Sequence, residues 1–345
     1  MSWYAVDSVD AALNATRRFL FPFQIISWAK LAIIVLFLGS VGSTVNPPGI
    51  SVSFSGPLEA LPALLEETPV QEAVTTGTTQ LTAAELTTIA AGIGIILVVW
   101  LLFRTIVAAF WFVFYDSIRA NTVTIIRPFI GRFGQAIRVV GFKIGITAIT
   151  SAPVVSVGVA GYLFGVSVRD PSATVSIGLL ILGLYSTLGA LFLWGVFRFT
   201  DEFIVPIMTL TDGGVVAAWT AFTPTLKKEW KQFVGYLLVH FLLALLIGIA
   251  QSVILFVGIG IVLALVLLAG IILVFGIAGS VAVAMESIAV LVGLGTVAVF
   301  AIVAIVLVAL PLRILVVSYL TMYELSVLRF ANREFDLLLT DAAKK

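Results

Sequence analysis

Residues 233–312 read FVGYLLVH FLLALLIGIA QSVILFVGIG IVLALVLLAG IILVFGIAGS VAVAMESIAV LVGLGTVAVF AIVAIVLVAL PL, and besides one histidine, His240, their only ionisable side chain with ordinary charge is Glu286. A stretch of this length without charge has no aqueous counterpart, because a domain folded in water needs polar side chains to cover its surface. The solvent of this segment is lipid. A transmembrane helix takes about 20 apolar residues at about 1.5 Å rise each, so the stretch is too long for two ordinary spans. Breaks at Gly258 and Gly260, and again around Met285 and Glu286, divide it into 234–257, 260–283 and 287–312.

Working toward the N-terminus, further apolar runs place span four at Val175–Phe197, span three at Val139–Val166 and span two at Leu86–Tyr115, with a tight turn at Arg169, Asp170 and Pro171. Span one is the run Ile25–Val41, where Lys30 lies near enough to the start to snorkel to the headgroups. It starts later and runs longer than the core of a cleaved signal peptide, which makes it an uncleaved anchor. Before Pro22, the spacing of Val6, Val9, Leu13, Thr16 and Leu20 over Asp7–Leu20 predicts a short interfacial helix ending in Arg17 and Arg18.

Orientation follows from the basic residues. The loop 44–84 carries Glu59, Glu66, Glu67 and Glu72 among five prolines and has no lysine or arginine, which places it outside. Arg119, Arg127, Arg132, Arg138 and Lys143, and then Lys227, Lys228 and Lys231, mark the cytoplasmic connections. Three crossings in 233–312 would carry Arg313, Arg329, Arg333, Lys344 and Lys345 outside, against that rule; a re-entrant or broken middle segment gives six crossings with both termini inside. Glu324, Glu334, Asp336 and Asp341 dilute the C-terminal positive charge, so seven crossings stay open. The expected fold is an all-α polytopic transmembrane helical bundle of six or seven spans with two cytoplasmic amphipathic connecting helices. It forms a single integral membrane domain over 1–345: interfacial helix and first span (1–43), external loop (44–84), remaining bundle (85–330) and C-terminal tail (331–345).

Composition agrees. Of 345 residues 61% are apolar and 11% charged, far from the soluble averages of about 45–50% and about 25%, and mean hydropathy is +1.19. The net charge of +1 draws the chain to no nucleic acid. The expected partners are the lipid bilayer and other membrane proteins. The absence of cysteine removes thiolate metal sites, thiol nucleophiles and disulfides together, and one histidine removes most other metal sites.

The two basic connections share a design. Val123, Ile126, Ile130, Phe133, Ile137 and Val140 recur at helical spacing with Arg127, Arg132 and Arg138 elsewhere; Val216, Trp219, Phe222, Leu226, Trp230 and Phe233 do the same with Lys227, Lys228 and Lys231 opposite. Each follows an aromatic helix end, contains a proline (Pro128, Pro224) and re-enters lipid at a glycine–aromatic pair (Gly141–Phe142, Gly235–Tyr236), which indicates a weak internal duplication. Such helices either read anionic headgroups at the membrane surface or act as elbows packed across helix ends.

The stretches Phe112-Val113-Phe114-Tyr115-Asp116, Glu202-Phe203-Ile204-Val205-Pro206-Ile207-Met208, Ala218-Trp219-Thr220-Ala221-Phe222-Thr223-Pro224-Thr225-Leu226 and Glu229-Trp230-Lys231-Gln232-Phe233 resemble an uncharacterised haloarchaeal family of multi-pass membrane proteins. That family is more distantly similar to the membrane domain found beside some glycerophosphodiester phosphodiesterases. The likeness covers most of the chain and implies architecture; the phosphodiesterase catalytic domain has no counterpart.

His240 and Gln251 lie eleven residues apart, about 20° from one another around the same helix. They form either a polar path for a proton or small solute or a helix-packing contact. Glu286 is either a substrate contact or the turn between two helices. Arg104, Asp116, Arg198, Asp201 and Glu202 at the inner span ends either gate a path or snorkel and pair at the interface. The sequon Asn14-Ala15-Thr16 falls on the expected cytoplasmic side. No phosphate-binding glycine loop, His-Glu-x-x-His or Gly-x-Ser-x-Gly occurs. The reading names no catalytic residue, no cofactor-binding residue, no metal ligand and no cofactor, and expects no enzyme. It expects a non-enzymatic scaffold or accessory component of the cell membrane, with a small-solute or ion transporter or channel as the alternative and a lipid-modifying enzyme as a third class.

Overall fold

The computed structural model describes residues 4–38, 83–163 and 173–338, and among them every regular element is helical. The acidic loop 44–84, but for its last two residues, and the turn at 169–171 lie outside the described residues. The order is α1 (Tyr4–Leu20), α2 (Ile25–Leu38), α3 (Ala83–Ala120), α4 (Ile126–Leu163), α5 (Ala173–Phe199), a π turn (Thr200–Ile204), α6 (Val205–Thr211), α7 (Val215–Lys228), α8 (Trp230–Ile271), a second π turn (Ile272–Ile277), α9 (Val281–Glu286), α10 (Ile288–Ala331) and a 3₁₀ turn (Arg333–Phe335). Two compact units result: one holds 4–38 and 231–327, the other 83–163, 173–230 and 328–338.

The chain is an all-α, multi-spanning membrane protein. Five helical stretches are long and apolar enough to cross a bilayer: Thr87–Ala120, Ile126–Gly161, Val175–Thr211, Trp230–Ile277 and Ile288–Ala331. This number, taken over the described residues, corrects the expected six or seven. Ile25–Leu38 is an apolar helix of 14 residues, about 21 Å long, which by itself is shorter than a hydrocarbon core of about 30 Å.

The larger correction concerns 233–312. Gly258 and Gly260 do not break the chain: α8 runs through both for 42 residues, and the turn comes only at 272–287. A helix interrupted in lipid leaves amides that nothing else satisfies, a cost of several kcal/mol, whereas a glycine within a helix costs about 1 kcal/mol. Gly258 serves close packing instead. A Cβ there would sit 2.9 Å from Val308 Cγ1, so its lack of a side chain lets α8 and α10 approach. The expected second break is present. Gly279 takes φ +79, Ser280 Oγ caps α9 by accepting from Val283 N at 3.3 Å, and Ser287 separates α9 from α10.

The two connections also differ from one another. The first is no elbow, because α4 continues from Ile126 through Gly141 into the span without a break. Its expected apolar face is buried only in part: Val123 and Val140 are buried and Phe133 is half-buried, whereas Ile126, Ile130 and Ile137 are exposed and Gln135, Ala136 and Val139 are buried instead. The second is a separate helix, α7, divided from α8 at Glu229 (φ −108, ψ 25). In α1 the buried residues are the small ones, Ala5, Ser8, Ala12, Ala15 and Thr16 with Leu20, whereas Val6 and Leu13 of the expected stripe face outward.

Candidate functional site

In the unit formed by α3–α7, polar side chains gather at the ends of the helices that carry the basic residues. Arg132 of α4 holds Asp116 of α3 through two parallel hydrogen bonds, Nε to Oδ2 at 2.9 Å and Nη2 to Oδ1 at 3.0 Å. It also pairs with Asp212, which follows α6 in a left-handed conformation (φ 52), and donates to Thr209 O at 3.3 Å. Gln135 donates to Met208 O and Gly213 O at 3.4 and 3.3 Å, and Arg119 reaches Thr209 O at 3.5 Å. The last carbonyls of a helix have no partner of their own. Here α3 and α4 supply side-chain donors to close the end of α6.

Further along the same helices, Lys143 donates to both oxygens of Asp201, at 2.6 and 2.8 Å. Tyr115 donates to Asp201 O at 3.2 Å, and Arg198 pairs with Glu202 one turn away at 3.0 Å. Trp219 of α7 donates to Thr200 Oγ1 at 3.2 Å, while Phe222 stacks on Phe203 at 5.5 Å with the rings 14° from parallel. The aromatic face of α7 is therefore spent on protein packing. Asp116, Arg198, Asp201 and Glu202 all enter pairs, which is the interface-pairing alternative for these residues.

Three cations of this unit each lie over an aromatic ring: Arg104 over Trp100 at 5.7 Å, Lys143 over Phe197 at 5.5 Å and Arg198 over Trp194 at 5.4 Å. Tryptophan and snorkelling cations concentrate where hydrocarbon meets headgroup.

The other unit holds a second polar group. The Tyr236 hydroxyl lies 3.2 Å from His240 Nδ1, His240 Nδ1 is 3.9 Å from Glu324 Oε1, and Tyr323 stacks on Tyr236 at 5.8 Å. All four side chains are buried. Gln251 is buried on the same side of α8, eleven residues on, but that places it about 16 Å along the axis from His240. Its Oε1 has no hydrogen-bond partner among the described residues. The structure thus does not join Gln251 to His240. Glu286 is exposed at the end of α9, one residue before the break at Ser287, where it belongs to the turn.

The partners of His240 were missed at the sequence level. Tyr236 was within reach, four residues before it on one helix, whereas Tyr323 and Glu324 meet it only through the antiparallel pairing of α8 and α10. Arg132 as the hub of the other group was equally hidden. Nothing in its local sequence distinguishes it from Arg127 or Arg138.

Residues 3–338 match a family of unknown function, DUF7544. The chain belongs to that family. Its helices, match and composition together make it a multi-pass membrane protein of that family. No curated protein and no solved structure matches it.

Proposed function

We propose that this chain is a non-enzymatic scaffold or accessory component of the cell membrane, with its N-terminus and basic connections at the cytoplasmic face. The observation that carries the reading is the use made of the charged groups. Asp116, Arg132, Asp212, Lys143, Asp201, Arg198 and Glu202 are consumed in pairs, of which those of Arg132 and Lys143 join α4 to α3 and to the stretch that runs from the π turn to the end of α6, while Arg198–Glu202 lies within one helical turn. A catalyst or a solute pathway needs polar groups that converge on an open space, whereas pairs of this kind rigidify a platform. Kinship with haloarchaeal proteins and with the membrane domain beside glycerophosphodiester phosphodiesterases belongs to the same proposal.

The test is purification from native membranes after crosslinking, paired with flux measurements on the protein in liposomes. A defined stoichiometric membrane-protein partner and impermeable vesicles are expected. A monomer with no partner and a solute or proton flux above empty vesicles would overturn the reading.

A second reading, transport of a proton or small cation, draws on one observation: Tyr236, His240 and Glu324 place ionisable and hydroxyl groups within long apolar helices, where such groups are costly. Proton flux that disappears with His240→Ala, in vesicles that otherwise retain the folded protein, would favour it over the scaffold.

A further inference from the structure

The exposed face of α4 points to a partner. As one unbroken helix of 38 residues, α4 is about 57 Å long, and its charge-free part, Ile144–Leu163, already fills a hydrocarbon core of about 30 Å. Even at a tilt of about 40°, the upper end of the usual range, about 18 Å of helix would lie beyond the core. The part outside is the end carrying Arg127, Arg132, Arg138 and Lys143.

That end exposes isoleucine. Ile126, Ile130 and Ile137 are 76%, 71% and 52% accessible, and at about 100° per residue they form one row spanning about 40°. Beside it, at about 60–80°, lie Gly134 and Gly141, whose absent side chains would meet nothing within 4 Å. At about 100–120° lie Arg127 and Arg138, both exposed and in none of the ion pairs among the described residues. The face is thus a shallow glycine trough between a wall of isoleucine and a wall of arginine.

We infer that this trough docks a helix of a membrane-protein partner that leaves the bilayer alongside α4 and presents apolar residues to Ile126, Ile130 and Ile137 and carboxylates to Arg127 and Arg138. The inference rests on the scaffold reading and gives its partner a chemistry. Glycine lets a second backbone approach closely, the isoleucines lose their contact with water, and opposite charges fix the register. Headgroups would answer the arginines but leave the outermost isoleucines uncovered. A second copy related by a two-fold axis along the membrane normal would set the arginine wall of one against the isoleucine wall of the other and supply no carboxylate to Arg127 or Arg138.

The probe is a synthetic Leu/Ala helix that spans the bilayer and continues beyond it with two glutamates eleven residues apart. Its control carries lysines at those positions. The protein has no cysteine, so Thr122→Cys gives one labelling position for energy transfer to labelled peptide in phosphatidylcholine nanodiscs. The glutamate peptide is expected to bind at least tenfold more tightly than the lysine peptide. Arg127→Glu with Arg138→Glu should reverse that preference. Gly134→Leu should weaken binding about tenfold without lowering thermal stability, since the added side chain meets no neighbour. Equal binding of the two peptides, or a preference that survives the charge reversal, overturns the proposal. So does loss of the preference in phosphatidylglycerol discs, which would make the face a headgroup site, or self-crosslinking through Ile130→Cys, which would make it a contact between copies. Flux through liposomes would sink the scaffold reading while leaving peptide docking intact. A silent peptide would remove this surface and leave that reading to other faces.

Discussion

Arg132 and Asp116, sixteen residues apart on two helices, meet through two parallel hydrogen bonds of 2.9 and 3.0 Å, with both side chains largely shielded. The planar guanidinium is what allows this, because a lysine ammonium, although it can meet one carboxylate as Lys143 does, is a single point and cannot reach Asp116, Asp212 and Thr209 O at once. Arg132→Lys is therefore expected to destabilise the α3–α7 unit by about 2 kcal/mol, although the charge is retained. A thermal-unfolding series in detergent checks it; a melting temperature equal to the parent's would show that charge, and not the fork, holds α3 to α4.

The same series separates two glycines of α8. A side chain at Gly258 would collide with Val308, whereas one at Gly260 meets nothing within 4 Å. Gly258→Leu should lower the melting temperature and loosen the α8–α10 pair, seen as faster proteolysis near the 272–287 turn. Gly260→Ala should leave both unchanged or slightly improved, since alanine is the better helix former.

Phe222 stacks on Phe203 with both side chains fully buried. Phe222→Ala removes that contact and leaves a cavity, a change that costs about 3–5 kcal/mol in protein cores. Trp219→Phe removes the hydrogen bond to Thr200, worth about 1 kcal/mol, and trims a half-buried ring while keeping an aromatic group beside Phe222. The larger loss should belong to Phe222; the reverse order would mean that α7 is held by its polar contact.

Tyr236→Phe should cost about 1 kcal/mol by deleting the hydroxyl that faces His240. On the scaffold reading it alters no flux, because the group serves packing. Vesicles carrying this variant and the parent should be equally tight to protons by a trapped pH dye.

A chain without cysteine also suits topology mapping. Asn121→Cys and Gly213→Cys, in the turns after α3 and α6, are expected to react with an impermeant maleimide only after cells are opened. Labelling of either in intact cells would reverse the orientation proposed from the basic residues.

Class and approximate span positions were legible along the chain. Leu86–Tyr115 and Val175–Phe197 fall within Ala83–Ala120 and Ala173–Phe199, because apolar length and flanking charge are local properties that lipid reads directly. The failures are of one kind. Gly258 and Gly260 looked like breaks because glycine weakens a helix in isolation, yet a Val308 that comes within reach only when α8 and α10 pair makes Gly258 a packing position. The apolar stripe of α4 was real, but periodicity does not say which arc meets a neighbour, and Arg132 lay on the inward one.

From its residues alone, the chain was committed to a bilayer: backbone amides in lipid must be satisfied within each helix, and side chains without charge cannot be covered by water. Tertiary structure alone decided which of the many arginines became a hub, which glycine became a contact and which carboxylate faced His240. Those outcomes depend on pairings between helices distant in sequence, whose energies arise only when two surfaces meet.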